Sequence, residues 1–184
     1  MNKKFAAIGV MALALTTCST PSQAIESKPT VLSVTQSNND IQHLVQRWKK
    51  DFTLKSNRAL IERSIVKLRK HVGKTWYVFS GNTPRGWDCS GMTMWFYEQM
   101  GISLKHSASH QKHAGKIVKS PQIGDIVAFG WKGWSGSGHV GIYVGQGLMI
   151  HSPMPGHSTR VENITDFAKN SFSKITYTRF LEID

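Results

Sequence analysis

The hydrophobic periodicity of the chain changes along its length, and this change constrains the fold more than any other feature. In the first part, apolar residues recur at helical spacing and predict helices at 40–54, 57–73, 89–100 and 107–114. In the second part, short apolar segments separated by glycine-rich turns predict strands at 126–129, 140–144, 148–151, 160–162 and 175–181. A further short helix is expected at 166–171, capped by Thr165 or Asp166. Helices followed by an antiparallel sheet predict an α+β fold, with the N-terminal helices packed on the sheet.

The first 24 residues have the pattern of an export signal. Lys3 and Lys4 precede an apolar segment at 5–15, and Ser22-Gln23-Ala24 is a cleavage site of small residues. We therefore predict a signal peptide at 1–24, a flexible tether with a short helix at 25–57, and a catalytic domain at 58–184. No apolar segment is long enough to span a bilayer, so the protein is expected in the periplasm or outside the cell.

The two cysteines have different expected fates. Cys18 directly follows the apolar segment and could be lipidated, although Thr17 is a poor residue before such a site, and we favour cleavage after Ala24. In both cases Cys89 has no disulfide partner in an oxidising compartment. A lone exported thiol in a polar, glycine-flanked segment favours a catalytic role over an inert buried one.

The charge of the chain indicates the kind of surface that it meets. With 23 Lys and Arg against 11 Asp and Glu, the net charge is +12, which suits an anionic cell-wall surface, acidic stem peptides or lipid headgroups. Nucleic acid is the general alternative for a basic protein. It is disfavoured here because the chain has no nucleic-acid-binding motif and is expected to leave the cytoplasm.

One thiol and two histidines form the pattern of a cysteine nucleophile. Cys89 lies in Asp88-Cys89-Ser90-Gly91 at an expected helix start, where the helix dipole and the N–H groups favour a thiolate. His139 begins an apolar strand and is the candidate general base. His151 ends the next strand, so a hairpin turn at 145–147 would place the two imidazole rings side by side. Such a base needs a third polar group to hold its tautomer.

Four blocks in order carry a family resemblance: Trp76 to Gly81, Gly86 to Gly91, Gly124 to Phe129, and the two histidine strands. Together they resemble the NlpC/P60 peptidases over roughly residues 58–184. The resemblance implies a papain-like fold and cleavage of peptidoglycan stem peptides, often between D-glutamate and a diamino acid. It also implies that His151 orients His139 and that the Tyr77 hydroxyl helps to bind the oxyanion.

Other residues near Cys89 have expected roles in the site. Asp88 is interpreted as an N-cap that could touch substrate amines, and the backbone N–H of Cys89 or Ser90 could bind the oxyanion. Where the family usually has Leu-Pro-Arg-Ser or Leu-Pro-Arg-Thr, this chain has Leu-Lys followed by His106 and Ser107, which are expected to contact substrate. Asp125 is interpreted as a turn residue outside the triad.

Neither a metal nor another cofactor is expected. His106, His110 and His113 have helix-compatible spacing, but no cysteine or nearby carboxylate joins them in a known ligand pattern. Trp131 and Trp134 lie in a loop of glycine and serine before His139. They could line a cleft or merely cover the core.

Several functions remain compatible with these residues. The leading prediction is an exported cysteine endopeptidase that acts on peptidoglycan. An amidase or an acyltransferase would use the same triad, and a secreted effector or lysin would direct the same chemistry at another cell's wall. A binding module without activity is the alternative outside enzymes, but it would not need Cys89, His139 and His151 together.

Overall fold

The computed structural model describes residues 31–131, 136–169 and 172–184. The predicted signal peptide, Cys18 and Trp134 lie outside these residues. The chain divides into two compact units, Met1–Gln42 and His43–Asp184. The predicted limits at residues 24 and 57 stay predictions.

The secondary structure consists of four helices and eight strands in the described part of the chain. The helices are α1 (Val31–Arg69), α2 (Cys89–Glu98), α3 (Ala108–His113) and α4 (Ile164–Ala168). The strands are β1 (Asn82–Thr83), β2 (Gly86–Trp87), β3 (Lys116–Val118), β4 (Ile126–Trp131), β5 (His139–Gly145), β6 (Leu148–His151), β7 (Arg160–Asn163) and β8 (Phe172–Arg179).

A six-stranded antiparallel sheet forms the centre of the larger unit, in the order β3-β8-β4-β5-β6-β7. Successive residues of β4 point to opposite faces, as the geometry of a strand requires. Ile126 and Ala128 pack in the core cluster that includes residues of α1 and α2, whereas Val127 and Phe129 pack on the other side with Ile164 of α4. The predicted α+β class is confirmed, with helices packed on an antiparallel sheet.

Helix α1 differs from the prediction, which divided this region into a tether, a short helix and a second helix. Residues 31–69 contain neither glycine nor proline, so nothing in the backbone chemistry interrupts a helix. Asn57, expected as an N-cap, lies inside the helix and its side-chain amide donates to the carbonyl of Glu182. The prediction of two separate helices is therefore wrong.

The two halves of the apolar pattern in α1 differ in how deeply their side chains are buried. Leu68 is fully buried, and Ile61 and Ile65 pack in the same core. By contrast, Trp48 and Phe52 are exposed and stack on each other with their ring centroids 5.6 Å apart. The apolar pattern at 40–54 thus predicts a helix correctly, but these two side chains do not enter the core.

Two smaller predictions also differ from the structure. Helix α4 begins after Asn163, whose side chain accepts from the N–H groups of Thr165 and Asp166, so neither of those residues is the cap. Strand β3 was not predicted, because it has only 3 residues and begins with a charged side chain. None of the helices described here combines the length and hydrophobicity that a membrane crossing needs.

Candidate active site

Cys89 occupies the first position of α2, and the local sequence explains why the helix begins there. The Asp88 carboxylate accepts hydrogen bonds from the Gly91 N–H at 2.7 Å and from the Ser90 hydroxyl at 2.9 Å. Asp88 is therefore the N-cap that the sequence predicts. Gly91 has no room for a side chain, because a Cβ atom there would collide with the carbonyl oxygen of Gly81. The Ser90 side chain is buried and engaged by Asp88.

The sulfur of Cys89 lies against the start of β5. The backbone N–H groups of Val140, Ser90 and Cys89 itself point at the sulfur and favour its thiolate form. Burial and the negative charge of Asp88 act in the opposite direction, and burial dominates, raising the pKa of Cys89 to about 11. The resting group is thus a thiol, although the N–H groups at the helix start shift its pKa in the direction that the sequence predicts.

His139 and His151 meet across the β5–β6 hairpin. The two strands pair antiparallel on either side of the predicted turn, where Gln146 has a left-handed backbone with φ of 54°. His139 Nε2 lies 2.8 Å from His151 Nδ1. The structure therefore brings these two predicted site residues together, as the sequence spacing indicated.

Both imidazoles are held in the neutral form. His139 is 4% exposed and His151 is completely buried. Burial, and then the neighbouring His151, lower the pKa of His139 well below its usual value. Burial, and then the charge of Arg160, lower the pKa of His151 to about 3. A neutral imidazole is the form that can accept a proton from a thiol.

An aromatic cluster explains why the histidine pair is buried. The Phe167 ring centroid lies 4.8 Å from that of His139 and 4.7 Å from that of His151. Phe129 and Phe172 pack against Phe167 at 5.1 and 5.4 Å. These rings come from β4, α4 and β8, so the sheet and its outer helix together create the desolvated surroundings.

Two charged residues that were not predicted complete the site. Glu162 Oε2 lies 2.9 Å from His151 Nε2. Arg160 contacts the same carboxylate oxygen through Nε at 2.9 Å and through its terminal nitrogen at 2.7 Å. Both residues lie on β7. The signal that could have revealed them is alternation: a predicted strand at 160–162 puts residues 160 and 162 on one face.

The other predicted site residues surround Asp88. Burial is the main cause of the raised pKa of the Tyr77 phenol. Cys89 and Asp88 lie close to it and raise this pKa further. His106 Nε2 lies 2.8 Å from Asp88 Oδ1, and Ser107 is the N-cap of α3. The structure thus places Tyr77 and His106 beside the nucleophile's helix start, whereas the Ser107 hydroxyl serves the helix that follows.

Two cavities provide space near these residues. One, of about 410 Å³, is lined by His139, Arg160 and Glu162 together with Trp131 and Phe172. A second, of about 490 Å³, is lined by Leu104, Lys105, His110 and their neighbours. Within the described residues, no group of three or more His, Cys, Asp or Glu side chains could hold a metal ion.

Asp125 has a structural role, as its place after a turn glycine indicated. Its carboxylate contacts Arg179 of β8 at 2.9 Å and accepts the Gln122 N–H at 2.7 Å. Burial raises its pKa, while the hydrogen bond from Arg179 acts against that shift. This buried ion pair fixes the start of β4 and lies apart from the histidine pair.

Comparison with known proteins identifies the class. A model of the NlpC/P60 family matches residues 73–178, and the chain belongs to this family. A protein of Mycobacterium tuberculosis named as a probable endopeptidase is 42% identical over 87 residues, which are 46% of this chain and 22% of that protein. The probable endopeptidase p60 of Listeria grayi is 38% identical over 114 residues, or 61% of this chain and 21% of that protein.

A solved structure resembles the larger part of the chain. The NlpC/p60 domain of the peptidoglycan hydrolase SagA has 32% sequence identity and a TM-score of 0.55, covering 64% of this chain and 96% of that one. The fold is therefore the papain-like α+β fold that the resemblance implied. The chain spans about a fifth of the length of the two curated relatives named above.

Proposed function

We propose that this chain is an exported cysteine endopeptidase that hydrolyses peptide bonds in peptidoglycan stem peptides. The bond expected to be cut joins D-glutamate to a diamino acid. The similarity to named endopeptidases and to a peptidoglycan hydrolase supports the substrate class.

One observation carries this proposal. A lone thiol at a helix start lies beside the first residues of a strand whose first side chain, His139, is a buried neutral imidazole. A second histidine holds that imidazole at 2.8 Å. A binding module has no need of a thiol at a helix start together with two buried, mutually hydrogen-bonded histidines.

The first half of the reaction forms a thioester. The Cys89 thiol proton passes to His139 as the sulfur attacks the scissile carbonyl carbon, since both groups are neutral at rest. The oxyanion can accept hydrogen bonds from the Cys89 or Ser90 N–H and from the Tyr77 hydroxyl. Collapse of the tetrahedral intermediate breaks the C–N bond, and the amine leaves with the proton from His139.

The second half regenerates the enzyme. Water attacks the thioester while His139 takes one of its protons, and the carbon–sulfur bond then breaks. The sulfur recovers a proton from His139, so that Cys89 is again a thiol and the product is a carboxylic acid. His151 stabilises the imidazolium that forms in each half.

A digest of defined muropeptides tests the proposed reaction. Purified protein is incubated with a disaccharide-tetrapeptide, and the products are identified by mass spectrometry. We expect two fragments: a disaccharide that keeps L-alanyl-D-glutamate, and a free dipeptide that begins with the diamino acid.

Other products would overturn the proposal. A complete tetrapeptide separated from the sugar would identify an amidase, and peptides joined to an added amine acceptor without free acid would identify an acyltransferase. Unchanged muropeptide, with the protein folded and retained on insoluble peptidoglycan, would favour the binding module.

Export has its own test. Cleavage after Ala24 predicts a mature protein that begins at Ile25, measured as the intact mass of protein recovered from the cell envelope or medium. An N-terminal acylated Cys18 would show that the chain is processed as a lipoprotein instead.

A further inference from the structure

Four side chains form a continuous chain of hydrogen bonds leading away from the base. His139 Nε2 contacts His151 Nδ1 at 2.8 Å, His151 Nε2 contacts Glu162 Oε2 at 2.9 Å, and Arg160 Nε contacts that oxygen at 2.9 Å. Pairing of β6 with β7 sets this geometry, because Arg160 lies opposite His151 and Glu162 lies diagonal to it.

The hydrogen-bonding capacity of each group determines where the protons lie. An ionised carboxylate can only accept, so His151 Nε2 must carry the hydrogen that points at Glu162. A neutral imidazole has a single N–H, which leaves His151 Nδ1 as an acceptor. The hydrogen between the two rings therefore belongs to His139 Nε2. It follows that His139 Nδ1 is unprotonated.

The consequence concerns the nitrogen that takes the thiol proton. In the described part of the chain, the side-chain hydrogen bonding of His139 engages Nε2 alone, which leaves Nδ1 as the ring nitrogen available to a thiol. We infer that Glu162 is a positioning residue that selects the reactive tautomer of His139 through His151, with Arg160 holding the carboxylate in place. This inference rests on the proposed function, in which His139 is the base.

Without the carboxylate, both histidine tautomers would satisfy the same contact. His151 could carry its hydrogen on Nδ1 and donate to His139 Nε2, and His139 would then be protonated on Nδ1. That form cannot accept a proton from Cys89 at Nδ1. The hydrogen bond between the rings would be equally good in both arrangements, so only Glu162 distinguishes them.

Arg160 contributes in a second way. Burial is the main cause of the lowered pKa values of His139 and His151, and the positive charge of Arg160 lowers both further. The same guanidinium that anchors Glu162 therefore opposes protonation of the rings, and the histidine pair stays neutral next to a carboxylate. A neutral pair is what makes the choice of tautomer decisive.

Nitrogen-15 NMR of histidine-labelled protein reads the tautomers directly. Spectra are recorded in the Cys89→Ala background, so that no turnover occurs. We expect His139 to be protonated on Nε2 when Glu162 is present. Glu162→Gln should produce a second His139 population protonated on Nδ1, because the amide can donate to His151 as well as accept from it. Glu162→Asp keeps a carboxylate and should keep the original tautomer.

Activity is measured in parallel with Cys89 intact. Glu162→Gln should lower the rate of muropeptide cleavage about 10–100-fold, the range known for loss of an outer partner that orients a metal-ligating histidine, applied here to a catalytic imidazole. Glu162→Asp should recover part of that loss. Glu62→Gln makes the same chemical change at an exposed position of α1 and is the matched control. It should leave both the spectrum and the rate unchanged.

Two results would overturn the inference. The first is a His139 that is protonated on Nδ1 in protein with Glu162 present, which needs no substitution to observe. The second is a rate loss in Glu162→Gln without any change of tautomer, which would indicate a purely structural role. Absence of cleavage by the protein with Cys89 and Glu162 intact would instead refute the proposed function, and the NMR result would remain readable on its own.

Discussion

Asp88 anchors the start of the nucleophile's helix, and its removal should be costly. Its carboxylate accepts the N–H groups of Gly91 at 2.7 Å and Ser80 at 3.1 Å, and it contacts the Ser90 hydroxyl at 2.9 Å and His106 at 2.8 Å. Ser80 has a left-handed backbone with φ of 58°, which non-glycine residues seldom adopt. We therefore expect Asp88→Ala to destabilise the fold and to displace Cys89.

The magnitude follows from the contacts that are lost. Replacing an aspartate N-cap by alanine costs about 1 kcal/mol. Leaving a buried donor such as the Ser90 hydroxyl without its partner costs about 2 kcal/mol more. A loss of about 3 kcal/mol corresponds to a melting temperature about 10 °C lower for a domain of this size. Asp88→Asn keeps an acceptor oxygen, so it should lower the melting temperature by only about 3 °C.

Thermal unfolding followed by circular dichroism measures both variants. Asp166→Ala is the matched control, because Asp166 is an exposed carboxylate in the first turn of α4 paired with Lys169. Exposed pairs of this kind contribute about 0–1 kcal/mol. Asp88→Ala protein that melts within about 2 °C of the unmodified protein would refute the reasoning that this carboxylate holds the helix start.

Three further predictions concern the histidines and the buried ion pair. His139→Ala should reduce muropeptide hydrolysis by ~10²–10⁴-fold, nearly as far as Cys89→Ala. His151→Asn should retain more activity than His151→Ala, because a carboxamide can accept the His139 N–H. If His139→Ala were more active than His151→Ala, the roles of the two histidines would be reversed. Because the pKa of His139 lies well below 6.5, its neutral form persists as the pH falls, so the acid limb of kcat/KM should lie below pH 6.5; an acid midpoint at or above 6.5 would contradict this. Arg179→Met leaves the buried Asp125 carboxylate without its partner and should cost about 3–5 kcal/mol of unfolding free energy in urea titrations; a loss under about 1 kcal/mol would contradict that role.

Local patterns explain why much of the fold could be predicted. The short apolar segments of β5 and β6 and the turn at 145–147 define a hairpin whose ends carry His139 and His151. Because β5 and β6 are close in sequence, their spacing alone predicts that the imidazole rings of His139 and His151 meet. Asp88 likewise caps α2, which begins at Cys89, two residues before Gly91, where no side chain would fit.

Features that depend on distant parts of the chain could not be read in this way. Glu162 reaches His151 only because β7 pairs with β6 across an intervening loop whose path the sequence does not specify. The raised pKa of Cys89 results from its burial between α2 and β5. This burial outweighs the opposite effect of the N–H groups at the helix start. The position of Asn57 inside α1 was not predicted, because its side chain bonds to the carbonyl of Glu182, which is distant in sequence.

Hydrolysis of a defined muropeptide by Cys89→Ala protein tests the central claim most directly. The initial rate is compared with that of the unmodified protein and of Thr93→Ser, a conservative change one turn along α2 that keeps the hydroxyl bonded to the Cys89 carbonyl. We expect no measurable cleavage by Cys89→Ala at an unchanged melting temperature, with Thr93→Ser close to full activity. A folded Cys89→Ala protein that cleaves the muropeptide at the unmodified rate would show that the thiol is not the nucleophile.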